Sequence, residues 1–280
     1  MPSIEANLAV WDRRQTWSHG GEKWSSPWGG VDTQWWGMIY PRIYQFVPAA
    51  TILEIAPGFG RWTHYLSGLC RRLIAVDLSR TCIERCKERF AKLEHIEYHV
   101  NNGCSLPMIE DGSIDFCFSF DSLVHCDAYI LEGYLKSLAT KLSSDGIAFL
   151  HHSNMAVYHL EQCQWLWRWI RHMRPRPFFD RVSNAIDYRF NPGWRATDLS
   201  AERFREACTR VGLCCLTQEI INWEGWALSG WLLSDCMSTI ALSGSRWSRP
   251  TEVIVNRRFM GQAKLLHRLM CRPEADDGSG

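Results

Sequence analysis

The chain has 280 residues, a net charge of +1 and a hydrophobic fraction of 46%. This length accommodates one large domain or a domain with a substantial cap. The nearly neutral charge offers no electrostatic footprint for nucleic acid or for an anionic membrane surface, and the hydrophobic fraction is ordinary for a globular protein. We therefore expect a soluble cytoplasmic protein with neither nucleic acid nor membrane as its partner.

Tryptophan and cysteine are both numerous. Six of the fifteen tryptophans lie within the first forty residues: Trp11, Trp17, Trp24, Trp28, Trp35 and Trp36. They predict a Trp-rich N-terminal cap, which serves either as core filling or as an aromatic wall for a sugar or an adenine ring. The twelve cysteines form no CxxC pair and follow no signal peptide, which favours buried, reduced thiols over a disulfide framework.

The middle of the chain alternates strands with helices. Apolar runs of strand type end at polar residues, and helical repeats of three and four residues lie between them. Predicted strands cover Ile52–Ile55, Leu73–Val76, Ile96–Val100, Ile114–Phe120, Ile147–Leu150, Leu213–Ile221 and Cys236–Leu242, and predicted helices cover Arg61–Cys70, Thr81–Lys92, Asp127–Leu142, Ala156–Arg174, Leu199–Gly212 and Phe259–Met270. Five strands that alternate with helices imply a parallel sheet with right-handed crossovers.

The stretch that organises the chain is Thr51–Gly60, with the sequence TILEIAPGFG. A strand passes into a Pro-Gly-Phe-Gly turn and a helix, and the next strand ends in Asp77. Units of this kind bind a nucleoside, because the glycines let a ligand approach the backbone and the acid accepts ribose hydroxyls.

Glu54, at the end of the first strand, narrows the choice of ligand. A carboxylate there disfavours a pyrophosphate and favours a cationic or amino-bearing ligand, and the G-x-G-x-x-G fingerprint of dinucleotide-binding dehydrogenases is absent. The stretch resembles motif I of the class I S-adenosylmethionine-dependent methyltransferases, E/D-x-G-x-G-x-G, with Ala56 in place of the first glycine.

The resemblance implies both the fold and the cofactor site. The fold is a Rossmann-like α/β structure with a seven-stranded, mostly parallel sheet, helices on both faces, and a closing hairpin of strands six and seven. Asp77 would accept the ribose hydroxyls and Asn102 would meet the adenine amino group. The residues expected to bind S-adenosylmethionine are Glu54, Ala56, Gly58, Gly60, Asp77, Leu78, Asn102, Gly103, Phe120, Asp121 and Ser122.

Three histidines follow strand ends at the expected site. An alcohol acceptor must lose its proton as the new bond forms, and histidine suits that task near neutral pH. His125 follows strand four, and His151 and His152 follow strand five; the sequence does not decide between them. Magnesium is a second candidate cofactor, held by Asp121 with a later acid such as Asp180 or Glu219.

Three runs resemble a narrower group. APGFGRWTHYL, FSFDSLVH and FLHHSN are similar to a bacterial subgroup of small-molecule methyltransferases that O-methylate sugars, including mannose-containing polysaccharide precursors, and the resemblance spans about residues 20–270. It implies O-methylation of a sugar hydroxyl in polysaccharide biosynthesis. Two alternatives to this function stay open: N- or O-methylation of an aromatic natural product, and a homologue that binds the cofactor without catalysis. A homodimeric assembly is also possible on the sequence.

The expected domain organisation has three parts. Residues 1–50 form the cap or lid, and residues 51–270 form the methyltransferase domain. That domain carries a substrate-covering insertion at 155–198. Residues 271–280 form a disordered tail, since their composition is polar and rich in Asp and Gly.

Overall fold

The computed structural model describes residues 3–14, 17–158, 194–223 and 232–270. Eight strands of these residues form one sheet in the order β3-β2-β1-β4-β5-β7-β6-β8. Their bounds are Ala49–Ile55 for β1, Cys70–Asp77 for β2, Ile96–Val100 for β3, Ile114–Ser119 for β4, Leu142–Ser153 for β5, Leu213–Ile221 for β6, Asp235–Leu242 for β7 and Glu252–Asn256 for β8.

The first five strands are parallel, and β7 runs against them. β1 pairs with β2 on one side and β4 on the other, β2 continues to β3, and β4 continues to β5. β7 is antiparallel to both β5 and β6. The central strands are apolar on both sides because both faces of the sheet are covered. The predicted α/β fold with a mostly parallel sheet and a closing hairpin is confirmed.

The helices lie between and beside these strands. Those with α-helical geometry are α1 (Ile4–Leu8), α2 (Val31–Gln34), α3 (Tyr40–Ile43), α4 (Thr63–Leu66), α5 (Arg80–Arg89), α6 (Ala128–Lys141), α7 (Ala201–Arg210) and α8 (Phe259–Met270). Side chains at the N-termini fix three of the starts: Ser79, Asp127 and Ser200 each accept a hydrogen bond from a backbone N–H in the first turn.

Two hydrophobic cores occupy the two faces of the sheet. Successive residues of a strand point to opposite faces, so that Ile52 of β1 packs in the first core and Leu53 in the second. The first core receives the aromatic side chains of the N-terminal residues and of α8, and the second is filled from α6 and α7. The N-terminal tryptophans Trp28 and Trp35 are therefore core residues, which is the first of the two roles expected for them.

The N-terminal fifty residues form short helical turns. Besides α1 to α3, a π-helical turn covers Ala9–Arg14, a kinked 3₁₀ segment covers Ser18–Trp28, and further turns cover Trp35–Ile39 and Tyr44–Phe46. The sequence predicts a short helix only over Met38–Phe46, because glycines and aromatic residues hide any periodicity before it. The proposed domain boundaries stay predictions.

Two element predictions need correction. The helix expected over Arg61–Cys70 is limited to α4 and a following 3₁₀ turn, because Cys70 is already extended as the first residue of β2. An eighth strand, β8, pairs in parallel with β6. The sequence pattern does not predict this strand. The helix expected at Ala156–Arg174 is described only as far as Tyr158, within a 3₁₀ turn. The rest of that helix and most of the insertion lie outside the described residues.

Two further expectations concern the cysteines and membrane-spanning helices. The described cysteines are free thiols. In the part of the chain that the structure describes, we find no helix with the length and apolar character needed to cross a membrane.

Gly133 lies where α6 packs closely against the backbone of Cys104. A Cβ at this position would lie 2.5 Å from the carbonyl oxygen of Cys104, whereas a Cβ at Gly261 in α8 would meet nothing within 4 Å. We expect Gly133→Ala to lower the free energy of unfolding by about 1–3 kcal/mol through overpacking, and Gly261→Ala to raise it by up to about 1 kcal/mol. Urea denaturation of both variants measures this, and a stabilised Gly133→Ala would contradict the packing described.

Candidate active site

The candidate site lies where β1, β2 and β4 end, and the turn after β1 forms its floor. Ala56, Gly58 and Gly60 all have positive φ angles, of 58°, 58° and 84°. Gly60 must be glycine for a second reason, since a Cβ there would lie 2.4 Å from Cε2 of Phe90. A Cβ on Gly58 would likewise lie 2.7 Å from the ring of Trp17, so the backbone of this turn packs directly against aromatic rings, as only glycine allows.

Asp77 lies beside this turn at the end of β2. Its side chain is buried and accepts hydrogen bonds from the backbone N–H groups of Gly58 (3.1 Å) and Ser79 (2.8 Å). Burial raises the pKa of Asp77 to about 6, against the opposing effect of these amide donors. The carboxylate is thus held in place with acceptor capacity left for further donors.

Glu54 is buried under the same turn. Its Oε2 accepts a hydrogen bond of 2.6 Å from the hydroxyl of Thr63, while its Oε1 has no hydrogen-bond partner among the described residues. Burial raises the pKa of Glu54 to about 8. A buried acceptor of this kind fits a ligand that brings a donor or a positive charge, in line with the argument from sequence.

The turn after β3 is arranged differently from the prediction. Asn102 is exposed, and its side-chain oxygen accepts hydrogen bonds from Cys104 and Ser105 of its own turn. Its neighbour Asn101 is buried and donates to the hydroxyl of Tyr134. An adenine contact from Asn102 stays a prediction, and its oxygen would have to leave this turn to make one.

Leu78 and Gly103 meet at the same edge of the sheet. A Cβ on Gly103 would lie 3.2 Å from Cδ1 of Leu78 and 3.4 Å from the side chain of Ile4 in α1. The two predicted cofactor residues are therefore together, and the N-terminal segment packs directly on them.

The turn after β4 carries Phe120, Asp121 and Ser122. Asp121 has a positive φ of 63° and forms an ion pair of 2.7 Å with the largely buried Arg61. The hydroxyl of Ser122 donates to the carbonyl of Ala56 at 3.2 Å. The β1 and β4 turns are thus joined by a hydrogen bond and an ion pair, and their predicted residues form one site.

The N-terminal segment crosses the site. Asp12 accepts a 2.6 Å hydrogen bond from the Ser79 hydroxyl, and Asn7 donates to the carbonyl of His125 at 2.7 Å. Trp17 stacks on Phe59 with ring centroids 4.5 Å apart. The segment therefore contacts the ends of β1, β2 and β4.

His151 and His152 lie on opposite faces of β5. His151 is fully buried: its Nδ1 accepts the N–H of Asp121 at 3.1 Å, and its Nε2–H donates to Asp235 at 3.2 Å. His152 faces α7, where it stacks on Phe204 and hydrogen-bonds through both ring nitrogens. Burial lowers the pKa of His152 to about 4.

His125 is different. Its Nδ1–H donates to the carbonyl of Trp194 at 3.1 Å, and none of the described residues forms a hydrogen bond with Nε2. The ring lies between Trp11 and Trp194, with centroid distances of 5.1 and 5.8 Å. Burial lowers the pKa of His125. The hydrogen bond to Trp194 keeps the proton on Nδ1 and leaves a lone pair on Nε2, so Nε2 of His125 can accept a proton.

Arg195 and Asp235 form a buried ion pair that the sequence analysis does not identify. Asp235 accepts two hydrogen bonds from the guanidinium of Arg195 and a third from His151. Burial alone would raise the pKa of Asp235, but the Arg195 charge and His151 lower it to about 2. Through His151, this pair supports the backbone of Asp121 at the site.

Two of the expected metal ligands, Asp121 and Glu219, are engaged by different arginines. Among the described residues no group of three or more His, Cys, Asp or Glu side chains could hold a metal ion. Asp121 is paired with Arg61, and Glu219 accepts two hydrogen bonds from Arg42. Asp180 lies outside the described residues.

The Arg195–Asp235 pair should be essential for stability. Asp235→Asn removes the carboxylate charge that faces the buried Arg195 guanidinium, and we expect the free energy of unfolding to fall by about 3–5 kcal/mol. The control is Glu97→Gln, which breaks the exposed pair with Arg72 and should cost at most about 1 kcal/mol. Equal losses in urea denaturation would contradict the structural role assigned to Asp235.

Comparison with known proteins identifies the domain. Residues 53–150 match a protein family described as "Methyltransferase domain". The chain is 44% identical over 48 residues to the ribosomal RNA small subunit methyltransferase A of Acidobacterium capsulatum and 40% identical over 48 residues to that of Koribacter versatilis. These matches cover 17% of this chain and 17% of each relative.

Matches to solved structures cover more of the chain. The complex described as DhpI-SAH is 16% identical, with 86% of this chain and 97% of that chain covered and a TM-score of 0.51. A Rickettsia typhi protein, PKMT2 in complex with AdoHcy, is 16% identical, with 72% of this chain and 51% of that chain covered and a TM-score of 0.48. Residues 53–150 therefore match a methyltransferase domain family, and the DhpI-SAH structure shares the α/β fold of this chain.

Proposed function

We propose that the protein binds S-adenosylmethionine at the site described and transfers its methyl group to a hydroxyl of a small molecule, with a sugar as the first candidate. The observation that carries the proposal is the buried Asp77 carboxylate, oriented by the amides of Gly58 and Ser79 beside the glycine turn. A structural neighbour described as the DhpI-SAH complex supports the same assignment.

The residues present fit this cofactor. Asp77 would accept the two ribose hydroxyls, and the positive-φ turn at Gly58 and Gly60 would lie against the methionine portion. Two buried carboxyl groups, Glu54 and Asp77, suit a ligand that carries a sulfonium and an ammonium charge. When bound, S-adenosylmethionine supplies an electrophilic methyl group.

His125 is our candidate for the general base. The hydrogen bond from Nδ1–H to the Trp194 carbonyl holds the ring so that Nε2 can take a proton from an acceptor hydroxyl. His151 has both ring nitrogens engaged, and His152 faces away from the site. The choice that the sequence left open therefore falls on His125.

The aromatic rings around His125 support a ring-shaped acceptor. Trp11 and Trp194 flank the imidazole, and Trp11 also contacts Trp17 and Trp24. Indole faces stack on sugars and on planar aromatic molecules alike. A sugar hydroxyl is the first acceptor class that we propose, and an aromatic natural product is the second.

Cofactor binding tests the proposal directly. We expect S-adenosylhomocysteine to bind with micromolar affinity in isothermal titration calorimetry, and NADH not to bind. Asp77→Asn should weaken binding about 10- to 150-fold, because a hydrogen bond to a charged group contributes about 1.5–3 kcal/mol. The control, Asp111→Asn, replaces an exposed carboxylate that pairs with Lys141. Unchanged affinity in a folded Asp77→Asn variant would refute the ribose contact.

The pH dependence adds a second readout. Since the folded-state pKa of Asp77, about 6, exceeds the ordinary value of 3.8, the ionised group costs stability, and protonation between about pH 6 and pH 4 stabilises the free protein. Affinity for S-adenosylhomocysteine should move the opposite way, falling as the pH drops below about 6. Both trends should be absent from Asp77→Asn.

The base is tested by methyl transfer from labelled S-adenosylmethionine to mannose oligosaccharides and then to aromatic alcohols. His125→Asn keeps a donor toward Trp194 but removes the base, and we expect kcat to fall about 10²- to 10⁴-fold with cofactor affinity unchanged. His99→Asn, on β3, is the matched control. Full activity in His125→Asn would exclude His125 as the base without refuting the methyltransferase assignment.

A further inference from the structure

The free edge of the sheet is formed by β8, and its side chains are unusually apolar for an edge. Val253, Ile254 and Val255 follow one another and are 46%, 47% and 52% exposed. β8 pairs with β6 on its inner side, and no backbone hydrogen bond among the described residues reaches its outer side. Within the described ranges, the edge therefore combines unpaired backbone groups with exposed aliphatic side chains on both faces.

Such edges are usually protected in monomeric proteins. Short strands, charged side chains in the middle of the strand, prolines or bulges prevent pairing with another chain. β8 is a strand of five residues. Its three central residues include no charge and no proline, and its pairing with β6 is regular from Glu252 to Asn256. The charges lie only at its ends, with Glu252 at the first residue and Arg257 and Arg258 just after the last.

We propose that β8 pairs with β8 of a second copy of this chain, antiparallel and centred on Ile254, so that the sheet continues through a two-fold axis. This register pairs all five residues of each strand. Ile254 then lies opposite its own counterpart, and Val253 of each copy lies opposite Val255 of the other. Aliphatic cross-strand pairs of this kind stabilise antiparallel sheets.

The charges of the strand ends select this arrangement. Antiparallel pairing places Glu252 of one copy opposite Asn256 of the other, next to the turn that carries Arg257 and Arg258, and the two-fold axis makes this contact twice. The three charged side chains are exposed, so their heads are available for the contact. Parallel pairing would instead bring like charges together at both ends. A second copy therefore matches the edge both in apolar character and in charge.

The experiment is sedimentation equilibrium of the full chain across micromolar concentrations. We expect a reversible dimer of twice the 32.4 kDa chain mass. Ile254→Lys places two ammonium groups opposite each other on the axis and should abolish dimerisation. Tyr129→Lys, an equally drastic change at an exposed residue of α6, should leave the dimer intact. Circular dichroism establishes that each variant is folded.

Charge exchange tests the register itself. Glu252→Arg makes both ends of the strand basic, and the double variant Arg257→Glu, Arg258→Glu makes both ends acidic. Each protein alone should dimerise at least about tenfold more weakly than the wild type, and an equimolar mixture of the two should recover the wild-type affinity as a heterodimer. The recovery should diminish in high salt, because exposed charges are screened.

Two results would overturn the proposal. A wild-type chain that stays monomeric at the highest concentration would exclude the self-association. A dimer that persists in Ile254→Lys would place the interface elsewhere. So would a mixture of the two charge-reversed variants that does not recover the wild-type affinity.

Discussion

The parallel pairing of β1 with β2 and β4 is the constraint from which the candidate site follows, because parallel strands end at the same edge of a sheet. The register sets Ile55 beside Val76 and Glu54 beside Phe118. The turn after β1 therefore meets Asp77 on one side and Asp121 on the other. Hydrogen bonds between these turns, from Gly58 to Asp77 and from Ser122 to Ala56, then hold the three strand ends in a fixed arrangement.

Charge is distributed around that edge in a consistent way. Carboxyl groups without a full ionic partner, Glu54 and Asp77, lie under and beside the glycine turn, and burial raises the pKa of both. Asp121 and Asp235, in contrast, are neutralised by Arg61 and Arg195. The site thus keeps acceptor capacity on the side where a cationic nucleoside ligand is proposed, while the structural acids are paired with arginines.

The three histidines show how environment assigns different roles to the same side chain. His151 transmits the Arg195–Asp235 pair to the backbone of Asp121, and His152 packs on Phe204 on the opposite face of the sheet. Neither leaves a ring nitrogen for a substrate proton. His125 lies on a turn between tryptophan rings, where one hydrogen bond fixes its tautomer. The role of each histidine therefore depends on whether it lies on a strand or on a turn and on which groups it contacts there.

The sequence by itself determined the α/β fold, the glycine turn and the acid at the end of β2. These depend on local signals: apolar periodicity, turn residues and the spacing between strand ends. Only the tertiary structure decided which histidine has a free nitrogen, that Asn102 is engaged by its own turn, and that β8 extends the sheet. The contacts responsible join residues far apart in the chain, such as His151 and Asp235, which are 84 positions apart. No local pattern encodes such a partner, because it is chosen by the packing of the whole sheet.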